Sequence, residues 1–302
     1  INAVNVRRGT LRVEGLFDEV IGYATPVTLG ETGFAGALDV NGITQPLSRL
    51  SFAGVGSTVL GSGTLALFNS LSGTYNPGTT AEVTVTGTGH TIATAVALDN
   101  AATFNVFPGG RLEISGAIDD GLIAGQSLTK AGAGILELTV SNTYTGITNV
   151  NAGGLLVSGT NMGTGLVSIA DGWIGGRGRL AGDLTLSGST ARLVFDPAGP
   201  LDVAGSVSIN SSFSVASLVD VNGLAITDWS SISDGTYTLI GITSSKFDNI
   251  QNFGPGNAAP LPDGRLAYFE NGSLQLVIVP EPGAIALAAL GLAAAAWAAR
   301  RR

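Results

Sequence analysis

Residues 128–157 read LTKAGAGILELTVSNTYTGITNVNAGGLLV. Two phrases inside this stretch have one form, GILEL from Gly134 and GGLLV from Gly153. Each is a glycine, a variable residue, a leucine, another variable residue and an apolar residue. That order predicts a turn followed by a short strand, with the leucine and the last apolar residue on one face. Outward from here the phrase recurs as GTLRV from Gly9, GALDV from Gly36, GTLAL from Gly63, GRLEI from Gly110 and GPLDV from Gly199. It returns as GRLAY from Gly264 and GSLQL from Gly272, while long helical patterns are almost absent before residue 283.

The spacing of the copies carries the fold. Gly9, Gly36 and Gly63 stand 27 residues apart, and Gly110, Gly134 and Gly153 follow one another at 24 and 19. The gaps of 47 (Gly63 to Gly110) and 46 (Gly153 to Gly199) each fit two units with one degraded copy. Recurrence at ~20–27 residues predicts a β-solenoid of roughly ten coils, in which no coil buries its apolar face alone. NVRRGTLRVEG (5–15) and NVNAGGLLVSG (149–159) share Asn-Val, Gly, Leu, Val and Gly in register. The chain is therefore expected to open inside a repeat, with further coils upstream covering strand edges that would otherwise stand unpaired.

Composition narrows the function. Forty-five glycines and 12% charged residues accompany 44% hydrophobic residues, enough to bury a core, so the glycines mark turns. Residues 1–279 carry 11 Lys+Arg against 21 Asp+Glu, a net charge of −10, which repels phosphate backbones and excludes nucleic acid as a partner. The absence of cysteine removes disulfides and thiolate metal sites. Toward the C-terminus the period lapses. DGTYTLIGI (234–242) and GRLAYFENGSLQLVIV (264–279) predict antiparallel strands, the second pair turning at Asn271-Gly272, and residues 254–262 a proline-rich loop.

The stretch 128–157 resembles the passenger-associated repeat of autotransporter proteins. It carries that pattern at Leu128, Thr129, Lys130, Gly132, Gly134, Asn142, Tyr144, Gly146 and Gly153. The resemblance implies a right-handed parallel β-helix in an exported surface protein. The membrane β-barrel that ends an autotransporter does not follow residue 279, so self-translocation is not carried over.

The last residues, VPEPGAIALAALGLAAAAWAARRR (279–302), resemble the PEP-CTERM sorting signal. The motif is Pro280, Glu281, Pro282 and Gly283; an apolar run from Ala284 to Ala299 follows, then Arg300, Arg301 and Arg302. The resemblance implies recognition by an exosortase-like membrane processing enzyme, cleavage near the motif, and a Gram-negative, exopolysaccharide-making or biofilm-making host. Sixteen helical residues rise about 24 Å, short of the ~30 Å hydrocarbon core, so the run predicts a short hydrophobic helix and a transient inner-membrane stop. Trp297 suits the interface, and the three arginines hold the end on the cytoplasmic side. Pro280 and Pro282 keep the motif extended.

Asp119-Asp120-Gly121 is an adjacent acidic pair and reads as turn chemistry, as do Asp171-Gly172, Asp234-Gly235 and Asp263-Gly264. The single histidine, His90, reads as a surface turn residue rather than a ligand. The Gly175-Gly176-Arg177-Gly178 run lacks the acids of a calcium repeat. Tyr75, Tyr144, Phe104 and Phe107 are candidates for one outer aromatic face.

The expected organisation is a β-helix over 1–212, a β-hairpin cap over 213–279 and the sorting signal over 280–302. No cofactor, metal site, catalytic residue or enzymatic activity is expected. The expected function is an exported structural or adhesive protein of the cell envelope, cell surface or extracellular matrix. Extracellular polysaccharide is a candidate partner, and a polysaccharide-binding adhesin or a polysaccharide-degrading β-helix enzyme is the alternative.

Overall fold

The computed structural model describes residues 3–14, 20–22, 24–68, 79–161, 165–247, 249–270 and 274–280, with backbone alone at 161 and 242–247. It is an all-β parallel solenoid of about nine turns. Each turn visits three faces in one order. The first face runs from Val4–Val6 through Thr80–Val85 and Leu128–Ala131 to Leu201–Ile209. The second is a 10-stranded sheet from Gly9–Val13 to Leu218–Val219. The third begins as a 4-stranded sheet, Thr44–Leu47, Thr64–Leu67, Ala95–Leu98 and Ile118–Asp119. It resumes at Thr160–Asn161 and Arg179–Leu180, which join the first half of Leu201–Ile209.

Alternation along each strand sends every second side chain inward, where parallel pairing stacks like on like. One inward row reads Val27, Leu50, Val83, Phe104, Lys130, Val150, Ile169, Leu186 and Ile209. On the second face Leu112, Leu136, Leu155, Ile174, Leu193 and Leu218 form another. These residues belong to one continuous core, with the lysine the exception. Coil length varies more than expected, from 17 residues (Ile169 to Leu186) to 38 (Ile209 to Phe247).

The recurring phrase does not mark one face. Gly9 stacks on Gly36, and Gly110, Gly134 and Gly153 fall on one column. GTLAL and GPLDV instead supply strands of the third face, so their spacing was coincidental. The two second-face sets are also offset: Leu38 aligns through Val59 and Ile92 with Ile114, not with Leu112. The matched segments 5–15 and 149–159 therefore sit two residues out of register. A two-residue slip keeps every side chain on its own face, so the alternation does not reveal it.

Where the third face is interrupted, buried amides take the place of strands. Gln45 Oε1 accepts from the Val20 and Ile21 amides, and its Nε2 donates to Ile21 O. Asn142 Oδ1 accepts from the Ile118 amide, and its Nδ2 donates to Val140 O.

The segment expected as a cap does two things. Ile240–Phe247 adds a last parallel strand to Leu201–Ile209. Gly235–Thr238, Gln275–Val279, Leu266–Glu270 and Ala259–Pro260 then form an antiparallel sheet in that order. The hairpin pairing is as expected, with Glu270 opposite Gln275, and its Asn271-Gly272 turn lies outside the described residues. Residues 255–257 form a single 3-10 turn within the expected loop. Arg265 ties the cap together, donating to Trp229 O, Ile232 O and the carboxylates of Asp234 and Asp263.

Candidate functional site: the inner corner, the outer ladder and the sorting junction

The corner between the first and second faces carries polar side chains on its inside. Ser57 Oγ donates to Ala53 O at 3.3 Å. In the next coil His90 Nδ1 accepts from the Ser57 amide at 3.1 Å, so Nε2 carries the proton and donates to Thr86 O at 3.0 Å. His90 is buried against Phe52, not on the surface as expected. Burial pulls its pKa below the ordinary value, against the opposing effect of its backbone partners. Two coils on, Lys130 Nζ donates to Ala131 O at 2.8 Å, Gly132 O at 2.6 Å and Ala152 O at 3.0 Å. Gly132 and Gly153, both at positive φ, turn the backbone at this corner. Burial pulls the Lys130 amine down to about 7, although three carbonyl acceptors match the three donors of an ammonium. The lysine of the repeat motif is thus a clamp on corner carbonyls.

Tyr144 of the motif also faces inward. It is buried, its hydroxyl 2.6 Å from Thr148 Oγ1. Phe104 is buried too, Phe107 is exposed, and Tyr75 lies outside the described residues, so the expected outer aromatic face does not form from these residues.

The acids act mainly in turns. Asp119 accepts from the Gly121 amide, and Asp120 from the amides of Gly125 and Thr145. Asp99, one coil earlier, lies in the same open groove, which Thr44, Thr64 and Thr143 also line. Its pKa is raised by burial and by the nearby Asp119 carboxylate, against the Leu122 amide that donates to it at 2.6 Å. Arg177 of the Gly-Gly-Arg-Gly run pairs with Asp196 through two bonds, 2.7 and 3.1 Å. Among the described residues no three or more of His, Asp and Glu are placed to hold a metal ion.

The outside of the first face is different in kind. Thr103, Thr129, Asn149, Ser168, Thr185 and Ser208 occupy successive rungs of one outward row. Adjacent rungs lie ~4.8 Å apart. These six members are short, uncharged, and both donors and acceptors of hydrogen bonds, while the preceding rungs of the row are the charged Glu82 and Arg49. Sequence reading missed this row because unequal coil lengths give its members no fixed spacing.

The sorting motif begins where the cap ends. Val279 is the last residue of Gln275–Val279 and pairs with Leu266, while Ile278 pairs with Ala267 on one side and Gly235 on the other. Pro280 follows, half-buried. Glu281, Pro282, Gly283, Trp297, Arg300, Arg301, Arg302 and the expected tail helix lie outside the described residues. Among the described residues no helix is long and apolar enough to cross a membrane.

No curated protein and no solved structure matches the chain. Two protein families match parts of it. The chain carries a passenger-associated-transport-repeat at residues 128–157 and a PEP-CTERM protein-sorting motif at residues 279–302, and the latter marks an exported protein sorted to the cell envelope through an exosortase-type membrane enzyme.

Proposed function

We propose that this protein is a rod exported to the cell surface or extracellular matrix, where it holds hydroxyl-rich polymer, an extracellular polysaccharide, along its first face without turning it over. The outward row from Thr103 to Ser208 carries the reading. A periodic array of neutral hydrogen-bonding groups offers many weak, equivalent contacts to a chain that is itself periodic and neutral, so affinity grows with polymer length. The acidic surface, net −10 before the tail, disfavours polyanionic partners. In this reading the tail pauses in the inner membrane, with its arginines on the cytoplasmic side, before processing.

The test is cosedimentation with the insoluble polysaccharide of the producing cell. Thr129→Arg with Thr185→Arg is expected to weaken binding at least tenfold at unchanged circular dichroism and melting temperature. Equal binding by this variant contradicts the reading. A polymer-cleaving enzyme is the second reading, and the groove holding Asp99 beside Asp119 favours it, because burial raises one of two neighbouring carboxyls. Release of reducing ends, abolished by Asp99→Asn, would replace the first reading with this one.

A further inference from the structure

We propose that the first face takes its polymer as the surface of a packed fibre, several chains side by side, and not as one dissolved chain. The proposal rests on the polysaccharide reading and adds to it the physical form of the ligand.

A second outward row lies beside the one from Thr103 to Ser208, two residues further along each strand. By strand register it reads Asn5, Thr28, Ser51, Thr84, Asn105 and Ala131. The pairing then runs one residue past the printed strand ends. There the amides of Asn151, Ala170, Ser187 and Asn210 donate to Lys130 O, Val150 O, Ile169 O and Leu186 O. Those four residues continue the row, and none of its members is charged. From Thr103 to Asn210 both rows are neutral, so the face carries a grid of two positions on each of successive rungs. Rungs are ~4.8 Å apart, and the two positions on one strand about 6.7 Å.

The side chains of this grid are uncommitted. Among the described residues, Ser187 alone of the grid uses its side chain in a hydrogen bond, to Ile169 O at 3.3 Å. Hydroxyls elsewhere on the coils are spent on the coil before. Thr86 Oγ1 donates to Phe52 O, Thr94 Oγ1 to Gly63 O and Thr139 Oγ1 to Ile114 O. The grid therefore faces outward with its donors and acceptors free.

Side chains this short raise no walls, so a single chain would be touched from one side and stay in water on the other. Each bond replaces one made to water and contributes little by itself. A dissolved chain would also surrender conformational freedom over every rung it followed. A chain already straightened in a fibre has surrendered it, and the same weak contacts accumulate into affinity. The second row sets the width. Two rows in register match a surface that repeats in two directions, as neighbouring chains of a packed fibre do. Neutral groups suit a neutral polymer, while the acids elsewhere on the chain disfavour a polyanionic one.

The full chain is mixed with the pelleted, insoluble polysaccharide of the producing cell, in competition with the water-soluble fragments that mild acid releases from it. Cosedimentation with the pellet is expected, and a tenfold mass excess of fragments is expected to displace less than about a tenth of the bound protein. Displacement in proportion to the fragment mass overturns the proposal and leaves the polysaccharide reading standing. Failure to cosediment overturns that reading, and the proposal with it. Substitution in the second row tests the width. Asn151→Lys with Ser187→Lys, both at exposed positions, is expected to weaken binding to the pellet at least tenfold at unchanged circular dichroism. Parent-like binding by this variant, beside a loss in Thr129→Arg with Thr185→Arg, assigns the ligand to one row and overturns the proposal.

Discussion

Lys130 Nζ lies 3.0 Å from the carbonyl oxygen of Ala152, 22 residues along the chain and one coil further on. The same ammonium holds Ala131 O and Gly132 O of its own coil. A residue stacked between Phe104 and Val150 therefore joins two coils through their backbones.

Lys130→Met removes this clamp and leaves three carbonyls without their donor. The variant is expected to lose about 2–3 kcal/mol of unfolding free energy, because unsatisfied buried acceptors outweigh the gain from burying a thioether. Urea melts at neutral pH check this. A variant as stable as the parent shows that water reaches the corner.

The same lysine gives stability a dependence on pH. Its pKa falls from 10.5 when unfolded to about 7 in the fold. Between these values the unfolded chain binds the extra proton, so stability rises as pH climbs through 7 toward 10 and is lowest below 7. The gain from pH 7 to 9 is at most about 2 kcal/mol, and the carbonyl acceptors reduce it. Lys130→Met is expected to abolish this rise; a rise that survives the substitution assigns it to other groups.

His90 titrates in the opposite part of the scale. Protonation would set an Nδ1–H against the Ser57 amide, which donates to that nitrogen. With its pKa lowered, the folded chain resists a proton that the unfolded chain accepts, so stability falls as pH drops below 6.5 toward the folded value. Nitrogen-15 NMR of this single histidine is expected to show the neutral Nε2–H form persisting below pH 6.5. A charged ring at pH 6.5 contradicts the corner geometry.

Outside the second face, Leu156, Trp173, Val194 and Val219 form a separate apolar cluster. The Trp173 indole lies between two glycines. A Cβ on Gly154 would come within 2.0 Å of the ring and one on Gly223 within 1.9 Å. Gly154→Val is expected to cost about 1–3 kcal/mol through overpacking. Adding Trp173→Ala should recover part of that loss; strict additivity of the two substitutions would place the indole elsewhere.

Much of this architecture was legible before the coordinates. Glycine-led alternation predicts short stacked strands, and the Asn142 to Gly146 segment marks the clearest coil. The register was not legible, because a slip of two residues moves Leu38 from the Leu112 column to the Ile114 column without turning it outward. His90 was misread for a related reason. Local chemistry suggests that a histidine among glycines faces water, yet His90, like Lys130, occupies an inward row. Backbone groups brought close by other coils, the Ser57 amide for His90 and the Ala152 carbonyl for Lys130, help make those positions favourable. The outer ladder escaped notice because coils of 17 to 26 residues give its members no fixed spacing.

The central claim is that a folded solenoid reaches the envelope on the address its tail carries. The most direct measurement follows the full chain and its Pro280→Ala/Glu281→Ala/Pro282→Ala variant in a host that contains an exosortase-type enzyme. The parent is expected outside the inner membrane, shortened by the tail, and the variant in the inner-membrane fraction at full length. A variant shortened and released like the parent would contradict the account.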